Sequence, residues 1–472
     1  MQLNALIINF KNHKTMKYTV TLVALLVAQI VFGQDKSQKI DSLLNSLYTA
    51  KKINGNFLIA EKGKVIYKKS FGIANEETKQ PLNENSIFEI ASITKQFTAM
   101  AIMMLNEKGK LNLDDDISKF IPELAFYKGI TIRHLLNHTS GLPDYMELFE
   151  KIFDKSKIAT NKDIISIFAQ RQPKVLFTPN SKHDYCNTGY ALLASIIEKV
   201  SGETYPNFLQ KAIFKPLGMK NTFVYKRRLT PKQIDNYAYG YVYSDSLKKY
   251  ALPDDLKDAK FVIMLDGVVG DGGVNSTVND LLKWDRALYT NKLLAKEGVE
   301  EMFNVTILND NTQINYGYGW QIDNHAEFGK IVYHGGGWPG YATFFARHIT
   351  DDKTIIILQN HDNITLPLNS TRNILYGKKE LNKTTLRPEQ LQKFVGAYEL
   401  QPDFIIEIER QNDQLYAKAA GQPTLELILE TENSFLLKEI GAQVMFNINN
   451  DGTVMSLTFS QEGNKMEGNK IR

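Results

Sequence analysis

The chain has 472 residues, of which 43% are hydrophobic and 23% charged, so it can bury a large core and does not have the composition of a disordered protein. Its formal net charge of +4 is too small to suggest nucleic acid or an anionic membrane as a partner. The single cysteine, Cys186, excludes an internal disulfide. The length exceeds that of one ordinary domain.

The first 33 residues have the pattern of a secretory signal peptide. Met16 and Lys17 precede an apolar run from Tyr18 to Phe32, and a tolerable cleavage site lies before Gln34. The apolar run is shorter than the ~20 residues that a membrane span requires. Removal of residues 1–33 takes away three lysines and no acid, which lowers the net charge from +4 to +1. We expect an exported protein, periplasmic or extracellular, with no stable membrane span in its mature form; an uncleaved N-terminal anchor and translation from Met16 are the alternatives.

The next part of the chain predicts a helix, a hairpin and a second helix. Residues 37–51 place isoleucines and leucines on one helical face. Two apolar runs, 57–60 and 65–67, flank a turn and are typical of a β-hairpin. Apolar residues over 97–105 recur with the helical period, and Gly109 ends that segment.

From there to about residue 300 the pattern predicts mostly helices and loops, with clear helices at 190–200 and 208–214. Strand patterns then return in four segments, at 318–322, 331–333, 341–349 and 354–358. We predict an α+β fold in which both ends of this region build one antiparallel sheet, with helices packed on it and a helical region inserted between them.

The C-terminal part of the chain predicts a separate small domain. Residues 378–387 are polar and charged and are typical of a linker. Seven short strand patterns between residues 394 and 459 predict an all-β barrel or sandwich over 388–472. The predicted organisation is therefore a signal segment over 1–33, a main domain over 34–377, the linker, and this β domain.

Two polar residues stand at the start of the second predicted helix. Ser92 and Lys95 are three residues apart, so they share one helix face and the amine can reach the hydroxyl. A desolvated lysine can act as the base that makes a serine nucleophilic, and free N–H groups at a helix start can stabilise an oxyanion. The alternative is a serine N-cap followed by a surface lysine, and four residues alone do not decide between the two.

Two later motifs carry groups of the same chemistry. Tyr185 and Asn187 precede a helix; a tyrosine near a cationic lysine can shuttle protons, and an asparagine amide can bond a substrate carbonyl. His334 is followed by Gly335, Gly336 and Gly337 at a predicted strand end, where glycines leave N–H groups free for an oxyanion hole. A core tyrosine beside a capping asparagine, and a glycine-rich strand end with a solvated histidine, are the structural alternatives.

Other clusters do not support a metal or cofactor. His134 and His138 have the i, i+4 spacing of a metal clamp, but no acid cluster accompanies them. The acids at 114–116 lack calcium-loop spacing and are typical of a helix start. The segment 270–273 lacks the spacing of a nucleotide-binding loop, and Ser276 is expected to cap the next helix.

Taken together, the motifs resemble the serine β-lactamase and penicillin-binding family, in particular its branch of class C β-lactamases and D-alanyl-D-alanine carboxypeptidases. S-x-x-K corresponds to Ser92–Lys95, Y-x-N to Tyr185–Asn187, and the third element to His334–Gly336, with 93 and 149 residues between their first members. The resemblance covers about residues 38–375 and includes three further segments, at 135–143, 214–219 and 272–276. The last domain resembles the small β-rich modules appended to such hydrolases.

The resemblance implies a role for each motif. Ser92 would be the acylated nucleophile, Lys95 and Tyr185 would share the proton transfer, and Asn187 would hold the substrate amide. His334 would be a further catalytic residue that meets the substrate, and Gly335, Gly336 and Gly337 would bind the substrate. The N–H groups of Ser92 and Gly337 would form the oxyanion hole. No metal or organic cofactor is needed.

The chain departs from the family pattern at the third motif, where lysine-threonine-glycine would stand. His334 replaces a permanently charged lysine, and Gly335 removes a hydroxyl that helps to hold a substrate carboxylate. We therefore expect an exported serine hydrolase that cleaves an amide or ester bond of a small-molecule or peptide substrate through an acyl-enzyme. It would resemble a D-peptidase or esterase, with weak β-lactamase activity. The alternative is a catalytically silent protein that binds a peptide or cell-wall ligand.

Overall fold

A computed structural model of the chain describes residues 35–362, 364–378, 386, 388–401, 404–419, 424–431, 433–437, 442–449, 451–461 and 464–471. These residues form two compact units, the first ending at Thr371 and the second beginning at Arg372. The predicted signal peptide and nearly all of the predicted linker lie outside the described residues. Within them, no helix has both the length and the hydropathy needed to cross a bilayer.

The first unit alternates short strands with helices. Its strands are β1 (Gly55–Glu61), β2 (Lys64–Phe71), β3 (Ile73–Asn75), β4 (Gln80–Pro81), β5 (Phe88–Glu89), β6 (Phe223–Val224), β7 (Val242–Ser244), β8 (Lys249–Ala251), β9 (Val274–Ser276), β10 (Thr306–Ile307), β11 (Gln313–Ile314), β12 (Gln321–His325), β13 (Gly329–Trp338), β14 (Tyr341–His348) and β15 (Lys353–Gln359). Its α-helices are α1 (35–49), α2 (Thr94–Glu107), α3 (Ile132–Leu136), α4 (Tyr145–Ile152), α5 (Asn161–Arg171), α6 (Asn187–Ser201), α7 (Tyr205–Leu209), α8 (Lys215–Leu217), α9 (Phe261–Met264), α10 (Val278–Ala287) and α11 (Lys296–Met302). The boundary between the two units falls within α12 (Leu368–Leu375).

The main sheet joins strands from both ends of this unit. Its antiparallel order within the described residues is β12-β13-β14-β15-β1-β2. The central strands β1 and β15 are buried on both faces, and their registers place Phe57 opposite Ile357 and Leu58 opposite Ile356. The predicted α+β fold is therefore confirmed. The predicted strand at 318–322 begins later, at Gln321, because Gly319 takes a positive φ of 75° that interrupts an extended chain.

The helical middle region contains a small sheet that the sequence pattern did not predict. Strand β9 lies between β5 and β6, with Phe88 opposite Ser276 and Phe223 opposite Asn275. Each of these strands has two or three residues, which is too short for an alternating pattern to be recognised. Strand β5 leads directly into the segment that carries Ser92, so this sheet sets the position of that residue.

Two predicted helices differ from the structure in their details. The helix expected over 190–200 begins earlier, at Asn187, and ends before Gly202, whose φ of 73° is the usual left-handed helix stop. The segment expected as one helix over 208–214 is the end of α7 followed by a π-helical turn over Gln210–Phe214. The expectation that Ser276 caps α10 is wrong: Ser276 lies in β9, and Thr277 accepts the capping bond from the Asp280 N–H at 3.2 Å.

The second unit is a closed antiparallel barrel, which confirms the predicted β domain. The helix α13 (Pro388–Leu391) precedes β16 (Gly396–Gln401), β17 (Phe404–Gln411), β18 (Gln414–Ala419), β19 (Leu425–Thr431), β20 (Ser434–Leu437), β21 (Ala442–Ile448), β22 (Val454–Gln461) and β23 (Asn464–Lys470). Tyr398, Phe435 and Phe446 lie in its buried core. The closing strand β23 was not predicted, because Met466 is the one apolar side chain in its sequence.

A buried ion pair connects α10 to the main sheet of the first unit. The Asp285 carboxylate accepts hydrogen bonds from Arg347 Nε on β14 at 2.7 Å and from Thr354 Oγ1 on β15 at 2.9 Å. Arg286 Nε also donates to it at 2.7 Å. Asp285 and Arg347 are both almost fully buried, so the pair is stable only while these partners satisfy it. It fixes α10, and the adjoining strand β9, against the sheet.

We predict that Asp285→Asn lowers the free energy of unfolding by about 3–5 kcal/mol, because Arg347 would be left buried without its counter-charge. Urea unfolding followed by circular dichroism measures this loss. Asp258→Asn is the matched control, since Asp258 is exposed. Equal stabilities of the two variants would show that the pair does not hold α10 to the sheet.

Candidate active site

Ser92 lies at a sharp turn between β5 and α2. Ala91, directly before it, has a φ of 48°, a left-handed conformation that costs a residue with a side chain roughly 1–2 kcal/mol. A short 3-10 turn over Ala91–Ile93 then leads into α2, in agreement with the predicted helix start. Gly336 of β13 packs on this turn, where an added Cβ would lie 2.3 Å from the Ile90 carbonyl oxygen. Glycine at that position therefore lets the strand approach the turn closely.

Lys95 is buried beside Ser92 and has three hydrogen-bond partners. Its Nζ lies 3.2 Å from Ser92 Oγ, 2.9 Å from Asn187 Oδ1 and 2.9 Å from the Asp271 carbonyl oxygen. The two carbonyl-type oxygens can only accept, whereas the serine hydroxyl can also donate. A neutral amine has two N–H groups and one lone pair, so it can donate to both carbonyls and accept the Ser92 proton. The geometry thus suits Lys95 as the base.

Asp144 holds Asn187 in this position. Its Oδ2 accepts from the Asn187 backbone N at 2.7 Å and from the Asn187 Nδ2 at 3.0 Å, and its Oδ1 accepts from the Met146 N–H at the start of α4. The Asn187 amide oxygen is consequently turned toward Lys95. Asn187 was predicted to hold the substrate amide. In the structure it lines the cavity described below and also positions Lys95.

Tyr185 forms the outer wall beside Lys95 and is 38% exposed. Lys95 Nζ lies 4.9 Å from the centre of the Tyr185 ring, so the amine contacts the aromatic face. The ring also packs on His138, with their centres 4.2 Å apart. Among the described residues, the hydrogen bonds of Lys95 do not include the Tyr185 hydroxyl. The tyrosine thus lies near the amine that it was predicted to assist, and it lines the cavity described below.

A chain of neutral hydrogen bonds links the Y-x-N segment to β13. The Cys186 N–H donates to His138 Nδ1 at 3.1 Å, and His138 Nε2 lies 3.1 Å from the Tyr316 hydroxyl. That hydroxyl lies 3.0 Å from His334 Nε2, and His334 Nδ1 lies 2.6 Å from the Gly335 carbonyl. Because the Cys186 N–H only donates, His138 accepts at Nδ1, is neutral and donates from Nε2 to Tyr316. With His334 neutral as well, Tyr316 donates to its Nε2 and its Nδ1 donates to the Gly335 carbonyl.

The structure places His334, which was predicted as a site residue, behind the cavity wall. Its side chain is 3% exposed, and among the described residues β13 contributes only Gly337 and Trp338 to the cavity wall, without His334, Gly335 or Gly336. Burial, and then the charge of Lys95, lower the pKa of His334 to about 3. The imidazole is therefore neutral at working pH and lies behind the wall, where it orients the strand.

A cavity of about 300 Å³ opens in front of Ser92. It is lined by the predicted site residues Ser92, Tyr185, Asn187 and Gly337. The N–H groups of Ser92 and Gly337 thus belong to residues that border the same space, as an oxyanion hole requires. Trp338 and three acids complete part of the wall: Glu89, Asp266 and Asp271.

The residues that sequence reasoning missed lie far along the chain from their partners. Asp271 belongs to the glycine-rich segment that was examined only as a nucleotide loop; its Oδ2 accepts from the Tyr145 hydroxyl at 2.9 Å, and burial raises its pKa. Asp144 is the N-cap of α4, and this capping position was the sequence feature that could have indicated it. No local sequence pattern marks Tyr316 as part of the site.

The remaining candidates have structural roles. His134 completes the capping box of α3, and His138 belongs to the hydrogen-bonded chain, so the two do not share a ligand. Within the part of the chain that the structure describes, no group of three potential metal ligands is found. Cys186 is buried, and burial raises the pKa of its thiol to about 12, which makes it a poor nucleophile.

Comparisons with known proteins agree with this geometry. A β-lactamase family model matches residues 40–373, and a model described as a domain of unknown function (DUF3471) matches residues 381–470. Penicillin-binding protein 4* of Bacillus subtilis (strain 168) is 41% identical over 446 residues, which cover 92% of this chain and 98% of that protein.

Two solved structures share the fold at similar identity. The octameric penicillin-binding protein homologue from Pyrococcus abyssi has a TM-score of 0.64 and 26% identity, covering 91% of this chain and 99% of that one. The D-amino acid amidase from Ochrobactrum anthropi SV3, solved with L-phenylalanine amide, has a TM-score of 0.59 and 25% identity, covering 73% and 99%.

We predict that Tyr316→Phe destabilises the protein by about 1–3 kcal/mol, because it leaves a buried N–H of His138 and a buried nitrogen of His334 without partners. It should also slow covalent modification of Ser92, since Gly337 follows on the strand that the chain of bonds orients. Thermal unfolding and the labelling rate measure the two effects. Tyr48→Phe, at an exposed position, is the matched control.

The neutral state of His334 has a pH signature in stability. Its pKa of about 3 in the folded protein lies below the ordinary value of 6.5, so the unfolded chain binds the proton more tightly. The stability due to the neutral ring should be complete above about pH 6.5 and decline as the pH falls toward about 3. Between about pH 7 and pH 5, His334→Gln should therefore lose less unfolding free energy than the wild type. Parallel losses in urea titrations would contradict a neutral buried His334.

Proposed function

The chain belongs to the β-lactamase and penicillin-binding family of serine hydrolases, and we propose that it cleaves an amide or ester bond through an acyl-enzyme formed on Ser92. The observation that carries the proposal is the set of contacts around Lys95. Two carbonyl-type oxygens accept hydrogen bonds from the Lys95 amine, and the third hydrogen-bonding position of the nitrogen is directed at the Ser92 hydroxyl. That arrangement has a use in catalysis and no clear use in binding alone.

The proposed reaction proceeds in two halves. Lys95 takes the proton of Ser92 as the serine oxygen attacks the substrate carbonyl carbon. The N–H groups of Ser92 and Gly337 stabilise the oxyanion. The tetrahedral species then expels the amine or alcohol, which receives the proton from Lys95, with Tyr185 assisting. A water molecule attacks the acyl-enzyme in the second half, and the released serine oxygen regains its proton.

The third motif supports a preference for peptides, amides or esters over β-lactams. A β-lactam presents a carboxylate that the family lysine would meet, and here the corresponding His334 is neutral and buried. The amidase among the structural relatives is named for amide cleavage of D-amino acids, which supports a D-peptidase or amidase activity in this chain. The signal-like segment over 1–33 supports export to the periplasm or the cell exterior.

We predict that Ser92→Ala abolishes labelling by a fluorophosphonate or fluorescent penicillin probe and lowers turnover of p-nitrophenyl esters at least ~10³-fold, because no other nucleophile replaces the hydroxyl. Mass spectrometry of the labelled peptide locates the modification. Ser156→Ala serves as the control, since Ser156 is exposed and does not line the cavity. A folded wild-type protein that is never labelled and has no turnover would favour the silent binding protein over the hydrolase.

A further inference from the structure

One wall of the cavity carries a carboxylate without a protein partner. Phe88 and Glu89 alternate along β5, so that Phe88 is buried in the core while Glu89 lines the same cavity as Ser92. Among the described residues, no hydrogen bond or ion pair to the Glu89 carboxylate is found. Buried or partly buried acids are normally paired, so this one needs an explanation.

The cations closest to Glu89 are already neutralised. Arg228 binds Asp254 through Nε at 2.7 Å and Asp266 through Nη1 at 3.0 Å. Arg227 binds Asp254 through Nη2. The two guanidinium groups share Asp254, and Arg228 also binds Asp266, so two arginines are matched by two carboxylates, and Glu89 is an additional carboxyl group near this network.

The surroundings of Glu89 oppose its ionisation in the empty site. Desolvation is the largest effect and raises the pKa of Glu89 to about 7; the arginines lower it and the nearby acids raise it. The charged and titratable groups that face it are Arg227, Arg228, Asp266, Asp271, Tyr237 and Tyr341. A carboxyl group whose pKa is raised on folding reduces stability above its ordinary pKa, so its retention at this wall suggests a functional gain.

The rest of the cavity is also acidic. Asp266, which is paired with Arg228, and Asp271, whose carboxylate accepts from the Tyr145 hydroxyl, also line it, and the described lining residues include no lysine, arginine or histidine. A negatively charged substrate group would meet carboxylates without a cation on the wall. A positively charged group would be attracted and would supply the missing partner of Glu89.

We propose that Glu89 forms an ammonium-binding subsite, and that the substrate carries a protonated amine on the part that occupies the cavity next to Ser92. The inference rests on the hydrolase function proposed above and narrows its substrates to amides or esters of amine-bearing acids. An ammonium group has three donors and can bind the Glu89 carboxylate by a charge-assisted hydrogen bond. Glu89 would then be a specificity residue that contacts substrate without taking part in bond cleavage.

The direct test compares two substrates that differ at one group. D-alanine p-nitroanilide has an ammonium group where isobutyric p-nitroanilide has a methyl group. The ratio of their kcat/KM values cancels the steps that both share. We expect the wild type to prefer the ammonium substrate and Glu89→Gln to reduce the ratio at least ~10-fold, the usual effect of losing a charged hydrogen-bond partner. Glu123→Gln makes the same charge change at an exposed position outside the cavity and should leave the ratio unchanged.

The pH dependence provides a second signature. As the pH rises toward about 7, Glu89 ionises, and the wild-type ratio should rise until the substrate amine itself loses its proton near its ordinary pKa of ~8. The rise on the acid side should be absent in Glu89→Gln. Thermal unfolding at neutral pH checks that this variant is folded, and it should be at least as stable as the wild type, because it removes the poorly solvated charge.

Binding to the Ser92→Ala protein separates this inference from the proposed function. Calorimetric titration with D-alaninamide and isobutyramide measures the preference for the amine without any turnover. If the wild type neither reacts nor is labelled, yet Glu89→Gln in the Ser92→Ala background abolishes the preference for D-alaninamide, the hydrolase function fails and the subsite stands. If both amides bind equally, or if the preference survives Glu89→Gln, the subsite is overturned whatever the activity.

Discussion

The rest of the site depends on the satisfaction of one buried amine. Lys95 is fully buried, and removing its polar group from water is tolerable only when every donor has a partner. Those partners come from three separate parts of the chain: the turn before α2, the first residue of α6, and the loop before β9. Displacing any one of them would leave a buried polar group unpaired. The lysine therefore fixes the relative positions of the helices and of the small sheet, in addition to the role proposed for it as the base of Ser92.

The two histidines near Lys95, His138 and His334, are neutral. Burial is the main reason that the pKa values of His138 and His334 are lowered, and repulsion from Lys95 adds to it in both cases. Two imidazoles that stay neutral can form a directional chain through Tyr316, since each has one donor and one acceptor nitrogen. A permanently charged lysine in place of His334 could not accept the Tyr316 hydrogen bond. The neutral histidine can accept that bond, and it thereby orients β13.

Much of this arrangement follows from local sequence patterns, and the remainder does not. The helical period places Ser92 and Lys95 on one face, and runs of apolar residues predict the strands of the main sheet. The partners of Lys95 lie 92 and 176 residues away, and no local pattern relates them. The polar strand β23 and the short strands β5, β6 and β9 are stabilised by closure and pairing with neighbours, so propensity alone does not reveal them. The burial of His334 was not predicted for the same reason, because it is decided by residues distant in sequence.

The electrostatic balance of the cavity connects the third motif to Glu89. In a site that recognises a carboxylate, a cation on the wall and no nearby free acid would be expected. Here the motif histidine is neutral and withdrawn, while β5 presents an acid that the two arginines leave unpaired. The neutral His334 and the unpaired Glu89 both favour binding of a cation over an anion in the cavity. Glu89 lies three residues before the nucleophile on the same rigid segment, so a group bound to it would be held at a fixed distance from Ser92. Selectivity and bond cleavage would thus be set by one turn of the chain.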